Sequence, residues 1–462
     1  MPLLKLSLTV AVAALLGVLV TGDSVAQPPG GFGGPRPEPE IEGIPRVPTA
    51  VALPTLSAPV TGPGAMFDSA PSQAPGLDAA HFRYKTTEYF ASGTAAGKPY
   101  TTRVVVRQPA DDGEFTGLVL AESMHVSGSA HMFEFTSGYL MDAGHAAVEI
   151  VTTAPQQFVA FNAARYERLK VENGQQNEII AQVGALVRSG KGPLGARVRK
   201  MVLGGTSMSA GTLINYLPAH MVFRTPEMNR IFDGFMPTSN GSTIREIDVP
   251  LMHMPTMHEV ETNVTRRQDG DEPGKQYRLY EFAAIGHVDS RDNVRLLPNP
   301  CTKPLSTFLT QAYFSVTLHH LLRWVDEGIV PPRAPRILLD RDESNDGSTM
   351  VLDAHGNPVG GIRSPYVDVP TAKYAPVNTA AEPLIANPSE YVRVNGLQGA
   401  QTMCRLSAYQ EPFPAAMLRG LYGSKREYLR KFETRLEGLE REGWSLLVYR
   451  DTILADVAKT EF

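Results

Sequence analysis

The sequence predicts an α/β protein in which a mostly parallel central sheet is flanked by helices, with an N-terminal arm and a loop-rich, helical C-terminal extension. Three observations carry that expectation. From about Thr86 onward, short apolar runs alternate with segments of helical spacing, the pattern of strands buried on both faces and joined by crossover helices. The stretch "MVLGGTSMSAG" (residues 201–211) joins an apolar run to a helix through small residues. A serine, an acid and a histidine then follow in chain order at successive strand ends, where such sheets keep their functional groups.

Taken in order, the first 26 residues read as a secretory signal peptide. Lys5 precedes an apolar run over residues 6–20, and "SVAQ" sets small residues around a cleavage after Ala26, as the signal-peptide pattern requires. The run is short for a bilayer span of ~20 residues, so no stable membrane span is expected after cleavage. The protein is therefore expected to be exported, periplasmic or secreted. Residues 27–78 are rich in Pro and Gly, a composition that resists regular structure and reads as a linker or an arm lying on the domain. The folded domain is expected over 79–462, with 340–462 as its C-terminal extension.

Within that domain "TTRVVVRQP", "GLVLAESMH", "HAAVEIVT" and "RKMVLGG" read as strands, and "MFEFTSGYLMDAG", "NEIIAQVGALVRSG" and "AGTLINYLPAHM" as helices. "FDGFMPTS", "VPLMHMPTM" and "YRLYEFAAIGH" are the remaining strand candidates. Only residues 240–249 separate the first two of these, which leaves no room for a large inserted cap. Any lid must come from the arm or the C-terminal third. There, a long amphipathic helix ends at Gly328 and Pro331, "VLDAHGNPVGGIR" reads as a hairpin, and two late helices are expected over 414–421 and 425–442.

A serine hydroxyl is a weak nucleophile that needs a histidine base, itself oriented by an acid. Ser207 occupies the tight strand-to-helix turn, where small neighbours prevent a clash. Ser209 is needed there as a small residue and is the weaker candidate. His287 follows the last strand in "FAAIGHVDS", and Glu259 lies past "VPLMHMPTM" with Glu261 as the alternative acid. Asp269 and Asp271 lie in a polar turn and are further candidates. A tetrahedral intermediate needs backbone N–H donors. One is expected from Met208 and a second from the loop over residues 125–127, centred on Val126.

With those residues in place, "TTEYFASGTA", "AESMHVSG", "LGGTSMSAG", "EFAAIGH", "WVDEGIVPP" and "GNPVGGIRSPYVDVP" together resemble a family of bacterial α/β-hydrolase domain proteins. The resemblance runs from about Thr86 to the C-terminus. It implies an α/β-hydrolase fold and hydrolysis of carboxylic esters, without implying a substrate. Met208 stands where Gln is commoner in that family, and His125 where Asn is commoner.

Other features have blander readings. His253, His258 and His287, or the pair His319 and His320, lack the spacing of a zinc motif, so no metal or cofactor is expected. Arg363 could anchor a substrate carboxylate, but an internal ion pair is the favoured reading. "NVT", starting at Asn263, matches a glycosylation acceptor by accident. The two cysteines, Cys301 and Cys404, can pair in an exported chain. A net charge of −5 and a pI near 6.2 offer no basic surface for nucleic acid. The partner expected is a small-molecule ester. The competing functions are an amidase or peptidase with the same three residues, and a silent binding protein on the same scaffold.

Overall fold

The computed structural model describes residues 46–73, 76–153, 155–262, 264–288, 290–291, 296–341 and 348–462. The expected signal peptide (1–26), the first part of the arm (27–45) and Asn263 lie outside the described residues.

A nine-stranded sheet forms the centre. In chain order its strands are β1 (Thr55–Leu56), β2 (Tyr84–Ala95), β3 (Lys98–Pro109), β4 (Leu118–Ser123), β5 (Ala146–Ile150), β6 (Lys200–Thr206), β7 (Gly234–Thr238), β8 (Leu251–His253) and β9 (Tyr277–Leu279). Across the sheet they run β9-β8-β7-β6-β4-β5-β3-β2-β1. From β5 to β9 all neighbours are parallel, while β1, β2 and β3 join antiparallel at the other edge. The sequence pattern predicts β3 but not its partner β2. The two are closed by Ala96 and Gly97, both at positive φ (48° and 70°), the geometry of a two-residue hairpin turn. Ala at such a position is a weak signal in a sequence.

Alternation along the strands fills both faces of the sheet. Leu120, Val202, Met236 and Met252 enter one core with helices α1 (His131–Asp142) and α5 (Thr310–Glu327). Val119, Leu203, Phe235 and Leu251 enter the other with α2 (Gln176–Arg188) and α3 (Met208–His220). Successive side chains point to opposite faces, so each apolar strand supplies both layers.

Two strands stop earlier than their apolar runs suggest. The run expected as a strand through Met257 ends at His253, because Pro255 has no N–H for a ladder. A short helix, α4 (Met257–Thr262), follows. The run expected through His287 keeps strand geometry only to Leu279.

The described part of the arm belongs to the fold. Thr49–Ala50 pairs with Phe223–Arg224, and β1 is the edge strand of the main sheet, so sheet structure begins before the boundary expected at 79. Buried arginines strap the next stretch down. Arg165 donates to Val60 O and Gly64 O at 2.9 and 3.0 Å, and Arg103 donates to Phe67 O at 2.7 Å. Both guanidinium groups also bond Glu88, and Arg103 bonds Glu149, which compensates their burial.

The C-terminal third contains the expected hairpin turn, with Leu352 bridging Pro358, and the late helices α7 (Ala415–Tyr422) and α8 (Lys425–Glu442). Three further helices, the short Pro365–Asp368, α6 (Glu390–Leu406) and α9 (Arg450–Val457), form where the sequence suggests loop. Gly396 at φ 61°, ψ −153° kinks α6, which explains why its helical periodicity is hard to follow. Cys301 and Cys404 are bridged, with Cα atoms 5.6 Å apart. Arg363 pairs with Asp353 and Asp368 at 2.8 and 2.7 Å, the internal ion pair favoured for it. Among the described residues no helix is long and apolar enough to cross a membrane.

Candidate active site

Ser207 caps α3 immediately after β6, at φ 56° and ψ −118°. A non-glycine residue rarely holds that conformation, and the surroundings impose it. Its amide donates to Thr238 O at 3.0 Å, and its carbonyl accepts from Gly211 N at 3.1 Å and from Asn240 Nδ2 at 3.4 Å. Gly205 has to be glycine: a Cβ there would sit 2.5 Å from Ser209 O and 2.8 Å from Ala210 N. Ser209 staples the turn. Its Oγ donates to Thr206 O and accepts from Thr206 N, both at 2.9 Å, and the residue is 2% exposed. Its hydroxyl is therefore spent on structure.

His287 Nε2 lies 2.9 Å from Ser207 Oγ. On the other side of the ring, Nδ1 lies 2.5 Å from Glu259 Oε1. A carboxylate only accepts, so Nδ1 carries the hydrogen, and Nε2 is left to accept from the serine hydroxyl. The second oxygen of Glu259 accepts from Thr256 N at 2.9 Å and Thr256 Oγ1 at 2.7 Å. Burial pushes the Glu259 carboxyl up, but the bonds from His287 and Thr256 outweigh it and hold the group below its ordinary value. The acid is thus kept ionised beside the imidazole.

The supports come from three directions. Met257 N donates to Ile285 O at 3.0 Å, tying the helix of the acid to the loop of the histidine. Val288 N donates to Leu406 O at 3.0 Å. A Cβ on Gly286 would meet Ala408 Cβ at 2.5 Å, so the C-terminal extension presses directly on the histidine loop.

Glu261 does not reach the histidine. Burial raises its carboxyl, which accepts from the Met350 amide. Nor does it pair with Arg266, whose guanidinium makes two 2.8 Å bonds to Glu281. Asp269 is held by Arg336, and Asp271 by Arg278 and Arg333. His253 is not free for a metal: Nε2 donates to Asn240 O at 2.6 Å and Nδ1 accepts from the Tyr277 hydroxyl at 2.9 Å. Burial depresses it to about 4, so it is neutral. Among the described residues, no group of three or more His, Cys, Asp or Glu is placed to hold a metal ion.

The loop after β4 shows which of its amides are committed. His125 N donates to Ser129 O at 3.1 Å, Ser127 N to His125 Nδ1 at 3.1 Å, and Gly128 N to His125 O at 2.8 Å. Val126 N appears in none of these bonds. The loop is anchored by the buried Glu122, whose carboxyl accepts from Met132 N and Phe133 N at 3.0 Å each. Burial, with Glu149 nearby, raises Glu122 to about 8.

A cavity of about 300 Å³ opens over the serine, lined by Ser207, Met208, Gly211, residues 239–242, His258, Glu259, Thr262 and His287. Val126 is not among its lining residues. His258 and the strained Ser239 (φ 48°) are among the members of this site that motif reasoning does not assign. The signal for them in the sequence is only their place directly beside the acid and directly after a strand end.

Comparison with known proteins identifies the family. The model of one family, described as an alpha/beta hydrolase domain, matches residues 54–455. No curated protein sequence matches. Among solved structures, a cold-adapted esterase from an Arctic intertidal metagenomic library is similar at 16% identity, covering 42% of this chain and 83% of its own, with a TM-score of 0.26. An esterase of Pyrobaculum calidifontis is similar at 13% identity, covering 33% of this chain and 45% of its own, with a TM-score of 0.23.

Proposed function

The chain belongs to the alpha/beta hydrolase domain family, and from that premise we propose that it is an exported serine hydrolase that cleaves carboxylic esters through an acyl-enzyme intermediate. The observation that carries the reading is the continuous hydrogen-bond chain from Ser207 through His287 to Glu259. In the proposed reaction Ser207 Oγ attacks the ester carbonyl while His287 Nε2 takes its proton. Glu259 stabilises the imidazolium that forms. Oxyanion charge falls on the N–H of Met208, at the start of α3, and on that of Val126, the loop amide left uncommitted. As the intermediate collapses, the acyl–oxygen bond breaks and His287 returns the proton to the departing alcohol. Water, activated by the same histidine, then attacks the acyl-serine, and Ser207 is regenerated with release of the acid.

Export is supported by the charged and apolar pattern of residues 1–26 and by the Cys301–Cys404 bridge, since disulfides persist in oxidising compartments.

The test is turnover of short-chain p-nitrophenyl esters by wild type and Ser207→Ala. Wild type is expected to hydrolyse them, and the variant to lose on the order of 10⁴-fold or more in kcat with an unchanged circular dichroism spectrum. Full activity in Ser207→Ala would end the proposal.

A further inference from the structure

The cavity beside the serine carries two polar atoms whose partners are missing. Ser239 is 1% exposed and lines the cavity, yet its Oγ is buried without a hydrogen bond. Its φ of 48° is a strained value for a residue with a Cβ, and a strained residue at a site's wall is a pointer to function. His258 lines the same cavity, and its Nδ1 is likewise buried without a partner. Buried polar groups are almost always satisfied, so two orphaned atoms on residues of one cavity wall point to a ligand group that completes them.

The character of that group follows from the lining. Besides the catalytic residues, the wall consists of Ser239, Asn240, Ser242, His258 and Thr262 with Met208 and two glycines. No Lys or Arg lines it among the described residues, so nothing there would balance an anionic ligand group, and its one carboxylate, Glu259, is committed to His287 and Thr256. The wall is held in shape from behind, since Asn240 Oδ1 accepts from Ser242 N at 2.9 Å and Asn240 O accepts from His253. A preformed, neutral, hydrogen-bonding wall suits hydroxyl groups.

Its side of the reaction centre is set by His287. The His258 ring lies 5.6 Å from that of His287, edge to face, whereas of the two oxyanion donors only Met208 lines this cavity. The leaving oxygen must sit at His287 Nε2 to receive its proton, so the group continuing toward His258 and Ser239 is the alcohol. Building on the esterase reading, we propose that Ser239 and His258 form an alcohol subsite for hydroxyl-bearing leaving groups such as those of glycol, glycerol or sugar esters. Turned toward the cavity, Ser239 Oγ and His258 Nδ1 exchange hydrogen bonds with the leaving group's free hydroxyls.

The experiment compares 2-hydroxyethyl butyrate with propyl butyrate, which differ by a hydroxyl in place of a methyl. It adds propyl 3-hydroxybutyrate as the acyl-side control and fluorophosphonate labelling of Ser207. Wild type is expected to favour 2-hydroxyethyl butyrate in kcat/KM by about tenfold or more, because a hydroxyl that satisfies buried partners is discriminated strongly. Ser239→Ala and His258→Leu should each shrink that ratio several-fold, and the double variant should bring it near one. His258→Gln, which keeps a hydrogen-bonding head, should retain part of the preference; a role limited to supporting His287 would leave the ratio unmoved in every variant and overturn the subsite. Equal hydrolysis of both butyrates by wild type, or a preference found only on the acyl side, would also overturn it while leaving the esterase reading intact. No hydrolysis and no labelling would sink both.

Discussion

At the scale of single residues, the choice between Glu259 and Glu261 decides the chemistry. Both sit on one short helix, two positions apart, and residues at i and i+2 do not share a helix face. Glu259 therefore turns to His287, and Glu261 to the Met350 amide. Glu259→Gln is expected to lower kcat by about 10³–10⁴-fold, because the imidazole loses both its orientation and its counter-charge. Glu261→Gln should stay within a few-fold of wild type. Steady-state kinetics on one ester checks the pair, and near-normal turnover in Glu259→Gln would remove Glu259 from the triad. How far these residues could be read in advance varied with their chemistry. Ser207 stood out because a tight turn demands small neighbours on both sides. Glu259 could be placed past the strand only with Glu261 as its alternative, because the helix that separates the two was not legible. The orphaned atoms of Ser239 and His258 depend on three-dimensional burial and leave no trace in a one-dimensional pattern.

At the scale of elements, the C-terminal extension acts as a brace for the histidine loop. Cys404 lies two residues before Leu406, whose carbonyl holds Val288 N, and four before Ala408, which packs on Gly286. The bridge closes a separation of 103 residues, for which chain-entropy models give ~4.7 kcal/mol as a ceiling. The Cys301→Ser/Cys404→Ser variant is expected to melt several degrees lower than the oxidised wild type. Thermal inactivation of the proposed esterase activity should shift with it, because the disulfide anchors the segment behind His287. Equal melting temperatures for the variant and the oxidised wild type would show that the brace holds without the bridge. The core strands were legible because apolar alternation is strong there. Strand β2 and helix α6 were not, since one closes on an Ala–Gly turn and the other is broken at Gly396.

At the scale of the whole molecule, buried titratable groups set how stability responds to acid. His145, His253 and His320 are depressed to about 4, chiefly by burial, against an unfolded value near ~6.5. Their contribution is complete above the unfolded value and is lost as pH falls toward 4, because the unfolded chain binds protons that the fold refuses. Glu122 works in the opposite sense. Raised to about 8, its contribution is complete below the unfolded carboxyl value and is lost as pH rises through 8. Between pH 6.5 and 4.5 these histidines, joined by His220, His258 and His319, which burial also shifts down, outweigh the raised carboxyls of Glu122, Glu261 and Asp142, so the net effect is a loss of stability on acidification. The melting temperature at constant ionic strength is expected to fall steadily from pH 6.5 to 4.5. A flat or rising profile would contradict the burial of those histidines as neutral groups.

The central claim, that Ser207 is a nucleophile activated by His287, is tested most directly by treating the folded protein with a fluorophosphonate and mapping the adduct by peptide mass spectrometry. One equivalent of label on the peptide containing Ser207, lost in Ser207→Ala and retained in Ser209→Ala, is the predicted result. Label on Ser209, or no label on catalytically active protein, would contradict it.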